Sequence, residues 1–216
     1  MKKHPVNKNP RQNRVGADGE IVATPQRGLF YGNRGGQIHD PGTQMLHPTR
    51  RWASRQWICC VLQFKDRRRP IMGPGYTELF FLDEVTALAA GHRPCFECRR
   101  ADALAFAHAW NGDGTRARAP DMDKILHSQR IDGNEKRTTK QAWGALPIGA
   151  MVRQNGIIFA KTSNGPLHWS FDGYVPPSDQ TLNTNGATVD CLTPKAILTT
   201  LENGYTPHWH PSANMD

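Results

Sequence analysis

Residues 91–100, with the sequence GHRPCFECRR, constrain the fold more than any other part of this chain. They place two thiols three residues apart, between two segments whose apolar residues have helical spacing. In a chain without a secretory signal, such a pair indicates a metal or redox site before it indicates a disulfide. Two cysteines supply half of a tetrahedral site, so further ligands must come from elsewhere in the fold.

Charge and hydropathy narrow the class of protein. The 27 Lys and Arg against 19 Asp and Glu give a net charge of +8, which favours anionic partners such as nucleic acid, although it also serves solubility alone. No run of about 18 apolar residues exists, which excludes a transmembrane helix. The basic residues at positions 1–5 lack the apolar core of a signal peptide. We therefore expect a cytoplasmic protein with reduced cysteines and no membrane partner.

Composition divides the chain into four regions. They are a flexible basic arm with almost no apolar anchors (1–22), a cysteine-containing region (23–110), a linker with a short helix (111–145) and a β-hairpin region with a terminal helix (146–216). Together they predict an α+β fold.

Local signals place the elements within these regions. The predicted strands cover residues 57–62 and 76–81, and hairpin strands follow around residues 150–171. Asp83 caps a short helix that Gly91 ends, and Pro94 opens the next helix. Residues 27–36 are rich in glycine and are expected to form a loop that lacks the ending of a nucleotide-binding P-loop.

Residues 80–81, the alanine-rich helix after them and the GxRPCxxC string resemble the second half of the Ada metal-binding domain. That domain is the zinc module of bacterial DNA methylphosphotriester repair proteins, and the resemblance covers about residues 57–100. It implies that Cys95 and Cys98 bind zinc and that Cys60, or its neighbour Cys59, stands where the first ligand pair of the family begins. Phe64 occupies the position of the second cysteine of that pair. The resemblance therefore implies an Ada-like zinc module with one ligand missing. The hairpin signals beyond Leu146 and the helix start at Thr193 and Pro194 predict that an antiparallel β meander and a C-terminal helix follow it.

Several interpretations of the cysteines stay open. A histidine can complete a zinc site, with His92, His39 and His108 as candidates. One of the adjacent cysteines can instead pack in a strand core. A redox CxxC would lack its usual βαβ context, and the zinc-deaminase signature would lack its upstream glutamate.

Arginines concentrate around the cysteines, with Trp52 and Trp57 among the first of them. If the fold gathers them on one face, they form a phosphate-binding surface for DNA or RNA, with stacking groups. Two other roles explain the concentration of arginines almost as well: they can be solvated at the protein surface, or they can form ion pairs with nearby acidic residues. The arginines assigned to this surface are Arg50, Arg51, Arg55, Arg67, Arg68, Arg69, Arg99 and Arg100.

The sequence thus predicts a zinc-stabilised cytoplasmic protein that binds nucleic acid through an arginine-rich face. One alternative is an enzyme, either a cysteine alkyl acceptor in DNA repair that uses Cys59 or Cys60, or a hydrolase of unidentified mechanism. The other alternative is a protein-interaction module. No catalytic residue is assigned.

Overall fold

The computed structural model describes residues 10–67, 70–177 and 188–213. Within these ranges it is a mixed α+β structure, as the sequence predicts, with two six-stranded sheets, a small two-stranded sheet and four α-helices.

The first sheet is mixed. Its strand order is β2-β1-β5-β3-β4-β6; the pairs β1–β5 and β4–β6 are parallel and the remaining pairs are antiparallel. The strands are β1 (Gln12–Val15), β2 (Ile21–Ala23), β3 (Phe30–Arg34), β4 (Trp57–Val61), β5 (Leu79–Phe81) and β6 (Arg93–Pro94).

The second sheet is antiparallel throughout, with the order β13-β12-β11-β10-β14-β9, and β7 and β8 pair separately as a short hairpin. Strands β10 to β13 pair with their neighbours in sequence, as the hairpin signals predict. The strands are β7 (Ile131–Asp132), β8 (Glu135–Lys136), β9 (Thr139–Ala142), β10 (Met151–Gln154), β11 (Ile157–Thr162), β12 (Gly165–Ser170), β13 (Gly173–Val175) and β14 (Thr188–Cys191).

The helices are short. They are α1 (Glu84–Ala89), α2 (Arg100–Asn111), α3 (Ala119–Arg130) and α4 (Lys195–Glu202), with two 3-10 turns at Trp143–Ala145 and Pro211–Ala213. Asp83 caps α1 as predicted, because its carboxylate accepts a hydrogen bond from the backbone N–H of Thr86 at 2.8 Å. None of the helices in the described ranges combines the length and the apolar character needed to cross a bilayer.

Helix α1 lies between the two sheets and is buried along its whole length. Val85 and Ala89 pack with Met151 and Trp169 of the second sheet, whereas Ala87 faces the core of the first sheet. The cysteine-containing region and the hairpin region therefore share one hydrophobic cluster, in which burial of apolar surface is the main stabilising contribution.

The prediction that residues 1–22 form a flexible arm is wrong for the second half of this segment. Strands β1 and β2 form an antiparallel hairpin there, and β1 also pairs with β5. Two apolar residues suffice to anchor this hairpin, because Val15 and Ile21 are buried in the core of the first sheet. Residues 1–9 lie outside the described ranges.

The glycine-rich segment expected as a loop contains strand β3. Its glycine at position 32 is required by close packing, because a Cβ there would lie 1.9 Å from the carbonyl oxygen of Ile58 on β4. Glycine in the middle of a strand often marks such a close approach of two backbones. Because glycine is also common in loops, composition alone does not distinguish the two cases.

Lys136 on β8 makes the stability of the fold depend on pH. Although the residue is partly exposed, its ammonium group is enclosed and donates a hydrogen bond to the carbonyl of Ala89. Burial, with the charges of Arg34 and Arg130 as smaller causes, lowers its pKa from 10.5 to about 7.

We expect the free energy of unfolding to rise between about pH 7 and pH 10, because in this window the unfolded chain binds a proton at Lys136 that the folded protein has released. The rise is on the order of 2–4 kcal/mol, at about 1.4 kcal/mol per pKa unit. Urea unfolding across this window measures it, and Lys136→Met is the control that lacks the rise. Equal pH dependence in both proteins would contradict this assignment.

Candidate metal centre

Three cysteine thiols converge at the edge of the first sheet. The sulfur atoms of Cys60, Cys95 and Cys98 all lie within 4.8 Å of one another. Zinc–thiolate bonds of about 2.3 Å place the sulfurs of a tetrahedral site about 3.8 Å apart, so a small closure of the cluster suffices for a metal ion. These three cysteines are therefore close enough to hold a metal ion, and Cys98 is the most exposed of them.

Strand pairing brings the first two thiols together. Strands β4 and β6 are parallel, with Cys59 opposite Pro94, and the backbone N–H of Cys95 donates to the carbonyl of Cys59 at 2.9 Å. The next positions along the two strands, Cys60 and Cys95, are consequently neighbours. A tight turn, in which the N–H of Arg99 donates to the carbonyl of Cys95, then returns Cys98 to the same place.

The backbone around the turn favours thiolates. The N–H groups of Glu97 and Cys98 point to the sulfur of Cys95, the former at 3.4 Å, and the N–H of Val61 points to that of Cys98. Hydrogen bonds from the thiols of Cys60 and Cys98, with these backbone donors, lower the pKa of Cys95 well below its ordinary value. The same contacts raise the pKa of Cys60. A cation that binds the three sulfurs can replace the thiol protons of the cluster.

The assignment of Cys59 as a metal ligand is corrected. Successive residues of a strand point to opposite faces, so Cys59 faces the core while Cys60 faces the cluster. The sulfur of Cys59 is fully buried and accepts a hydrogen bond from Arg99 at 3.4 Å, and burial raises its pKa. It packs with Leu79 and Phe81, as the alternative of a strand-core cysteine predicts.

The candidate histidines lie outside the cluster. The imidazole of His92 is buried against Trp57 and Phe81, with ring centroids 5.1 and 4.7 Å away. His39 hydrogen-bonds to Thr77 and to the carbonyl of Gly73, and His108 is exposed on α2. Over the described ranges, no histidine, cysteine or carboxylate adds a fourth group to the three thiols.

The predicted arginine-rich face is divided. The assignment of Arg99 to this face is wrong. Arg99 is 3% exposed and pairs with Glu84 at 2.8 Å and with Asp102 at 2.9 Å, so its guanidinium group lies in the core and cannot reach a nucleic acid. Arg51 pairs with Glu20, and Arg67 pairs with Glu97. Three arginines of the predicted face are exposed and have no ion pair with a described residue: Arg50, Arg55 and Arg100. Arg68 and Arg69 lie outside the described ranges.

The two tryptophans of this region also differ in burial. Trp57 is buried between the guanidinium groups of Arg34 and Arg130, whose central carbons lie 4.2 and 3.8 Å from its ring. It is therefore unavailable to stack on a base. Trp52 is partly exposed and contacts His127 edge to face at 4.5 Å.

A buried ion pair holds the strand that leads into the cluster. Arg93 on β6 donates two hydrogen bonds to Asp123 on α3, at 2.8 and 2.7 Å, and both side chains are at most 5% exposed. Two parallel N–H···O bonds fix the orientation of both side chains. The pair therefore fixes the position of the backbone immediately before Cys95.

Sequence reasoning missed Tyr31. On the first sheet it lies directly opposite Cys60, and its pKa is raised chiefly by burial, with a hydrogen bond to Tyr76 and the nearby Cys60 as further causes. Tyr31 is the one partly exposed residue of β3, and the glycines of the segment hide the strand that positions it.

No protein-family model, curated protein or solved structure matches this chain. The resemblance to the Ada domain over residues 57–100 therefore rests on its motif alone. The candidate metal centre has separate support, because the three sulfur atoms lie close enough together to hold a metal ion.

Proposed function

We propose that the protein binds one zinc ion through Cys60, Cys95 and Cys98, that the ion stabilises the fold, and that the zinc-bound protein binds nucleic acid. The observation that carries the proposal is the convergence of three sulfur atoms within 4.8 Å. Thiolates select soft cations, and an isolated thiolate set on a strand and a turn is typical of zinc.

A stabilising role for zinc agrees with the position of the cluster. Strand β6 contains two residues and lies at the edge of the first sheet, so few backbone hydrogen bonds hold it there. A metal ion that joins β4 to the turn before α2 adds a cross-link at this weak point. Because binding to the folded state alone stabilises it, zinc affinity becomes folding free energy.

Nucleic-acid binding is supported by charge. The net charge of +8 and the exposed arginines without an ion pair attract phosphates, and one of them, Arg100, follows Cys98 of the cluster by two residues. Burial argues against the alkyl-acceptor alternative, because Cys59 and Cys60 are 0% and 4% exposed and a DNA alkyl group must reach the sulfur.

We expect the zinc-loaded protein to retard short oligonucleotides in a gel at low salt, with an affinity that falls steeply as salt increases. Binding should weaken when a chelator removes the zinc and return when zinc is added back. The measurement is a titration at several salt concentrations, with the chelated protein as the control. No retardation at low salt by the zinc-loaded protein would reject the nucleic-acid part of the proposal.

A further inference from the structure

A row of side chains crosses one face of the first sheet. Strand register places Arg14 opposite Phe80, Phe80 opposite Tyr31, and Tyr31 opposite Cys60. Directly paired residues of neighbouring strands point to the same face, so these four side chains form one line, here called the cross-strand row. The guanidinium carbon of Arg14 lies 4.9 Å from the Phe80 ring centre, and the rings of Phe80 and Tyr31 are 6.3 Å apart.

The two faces of this sheet differ in burial. On the opposite face Val15, Leu79, Phe81 and Cys59 pack into the core with α1. On the face of the row, Arg14, Phe80 and Tyr31 are partly exposed, whereas Cys60 at the end of the row is buried. An aromatic pair that is partly open to solvent on a sheet can contact a flat ligand.

A cleft of about 480 Å³ opens beside the row. Its apolar wall is formed by Phe80 with Leu62 and Ile71, which are 51% and 37% exposed. Its charged wall is formed by Arg14 with Arg11 and Arg27. None of the described side chains that line it is acidic, so the cleft combines apolar surface with uncompensated positive charge.

Local contacts hold two of the three guanidinium groups in place. Arg14 donates from Nε to the carbonyl of Gln26 at 2.6 Å, and Arg11 donates twice to the side chain of Gln44, at 3.2 and 3.1 Å. Arg27 has no hydrogen-bond or ion-pair partner in the described part of the chain. Burial, followed by the charges of Arg27 and Arg11, lowers the pKa of Arg14. Three like charges gathered in a concave surface attract an anion.

We propose that the cleft and the cross-strand row bind single-stranded nucleic acid, with Arg11 and Arg27 on its phosphates and a base against Phe80 and the guanidinium plane of Arg14. This inference rests on the proposed nucleic-acid binding and assigns its place and the form of the ligand. A single strand fits, because its bases are free to stack on aromatic rings and on arginine. In a duplex the faces of the bases are already covered by their neighbours.

The cleft does not include Arg50, Arg51 or Arg55 of the predicted arginine-rich face. Residues 50–55 precede the start of β4, whereas Leu62 of the cleft follows its end. Arg50 and Arg55 are therefore at the other end of this strand. Variants at the two ends distinguish the two locations.

The test is fluorescence anisotropy of a labelled oligothymidylate with the zinc-loaded, full-length protein, and an equally long duplex as the comparison. We expect the single strand to bind more tightly. Arg11→Gln with Arg27→Gln should weaken binding about tenfold or more and reduce the salt slope by about 1.4, at about 0.7 per lost phosphate contact on a single strand. Phe80→Leu, which keeps an apolar side chain but removes the ring, should weaken binding about tenfold without changing the salt slope.

One matched pair of substitutions serves as the control. Arg116→Gln with Arg118→Gln removes the same charge from the loop before α3 and should retain the affinity to within about twofold, because the cleft does not include these residues. Arg50→Gln with Arg55→Gln removes the same charge from the other end of β4 and tests the competing location.

Several results would overturn the inference. They are an equal loss in the Arg116/Arg118 pair, unchanged binding in the cleft variants, or tighter binding of the duplex than of the single strand. If only the Arg50/Arg55 pair loses affinity, the nucleic-acid function holds and this location is wrong. If the unaltered protein binds no oligonucleotide, the proposed function itself fails.

Discussion

Replacing Cys60, Cys95 or Cys98 with alanine is expected to abolish stoichiometric zinc binding and to lower the melting temperature, whereas Cys59→Ala is expected to keep the zinc. The three sulfurs form the cluster, and the sulfur of Cys59 lies on the other face of β4. Mutation of a residue that hydrogen-bonds to a metal ligand typically reduces metal affinity by up to about 100-fold. Loss of a thiolate ligand itself should reduce zinc affinity by more than this.

Elemental analysis after dialysis and thermal unfolding with and without chelator measure both effects. A chelator should lower the melting temperature of the unaltered protein and of Cys59→Ala, and it should leave the three ligand variants unchanged because they hold no metal to remove. Zinc loss in Cys59→Ala equal to that in Cys60→Ala would show that the ligands are misassigned.

Asp123→Ala is expected to destabilise the protein by about 3–5 kcal/mol, because it leaves the guanidinium group of Arg93 buried without its partner. Urea unfolding measures the loss. Because the pair fixes the backbone before Cys95, the same substitution should also weaken zinc binding.

The matched control for this substitution removes both charges. In Arg93→Met with Asp123→Leu, apolar side chains of similar length replace the pair, and a buried ion pair exchanged in this way often leaves stability nearly unchanged. We therefore expect the double variant to recover most of the stability. A double variant as unstable as Asp123→Ala would show that the site needs these hydrogen bonds and not merely the neutralisation of Arg93.

Elements with strong local signals could be predicted from the sequence. Strand β4 follows from its continuous apolar run, and α1 follows from its cap at Asp83 and from the stop at Gly91, where φ is +86° and a Cβ would lie 2.6 Å from the side chain of Arg130. These signals depend on neighbouring residues, so no knowledge of the tertiary structure is needed to interpret them.

The start of α2 could not be predicted in this way. Pro94 is a favoured first residue of a helix, yet α2 begins at Arg100 because Arg93 and Pro94 pair with residues 58–59 of β4. That pairing joins segments 35 residues apart in sequence, and no local pattern records it. The same long-range pairing brings Cys60 and Cys95 of the cysteine cluster together.

The sequence does not show which of two adjacent residues faces the candidate site and which faces the core. Cys59 and Cys60 are equivalent in a strand pattern until the covered face of the sheet is known, and helix α1 covers the face of Cys59. Arg99 and Arg100 differ likewise, because the first points into the core towards Glu84 and the second is exposed. The sequence places Arg11 and Arg14 in a flexible arm, since few apolar residues accompany strand β1, which contains Arg14 and begins directly after Arg11.

The most direct test of the account is the metal content of the purified, unaltered protein, measured together with the reactivity of its thiols towards an aromatic disulfide reagent. We predict about one zinc per chain and slow reaction of the thiols of Cys60, Cys95 and Cys98, which become reactive when a chelator removes the metal. A folded protein that contains no metal after purification, takes up none when zinc is added and has the same thiol reactivity with and without chelator would contradict the account.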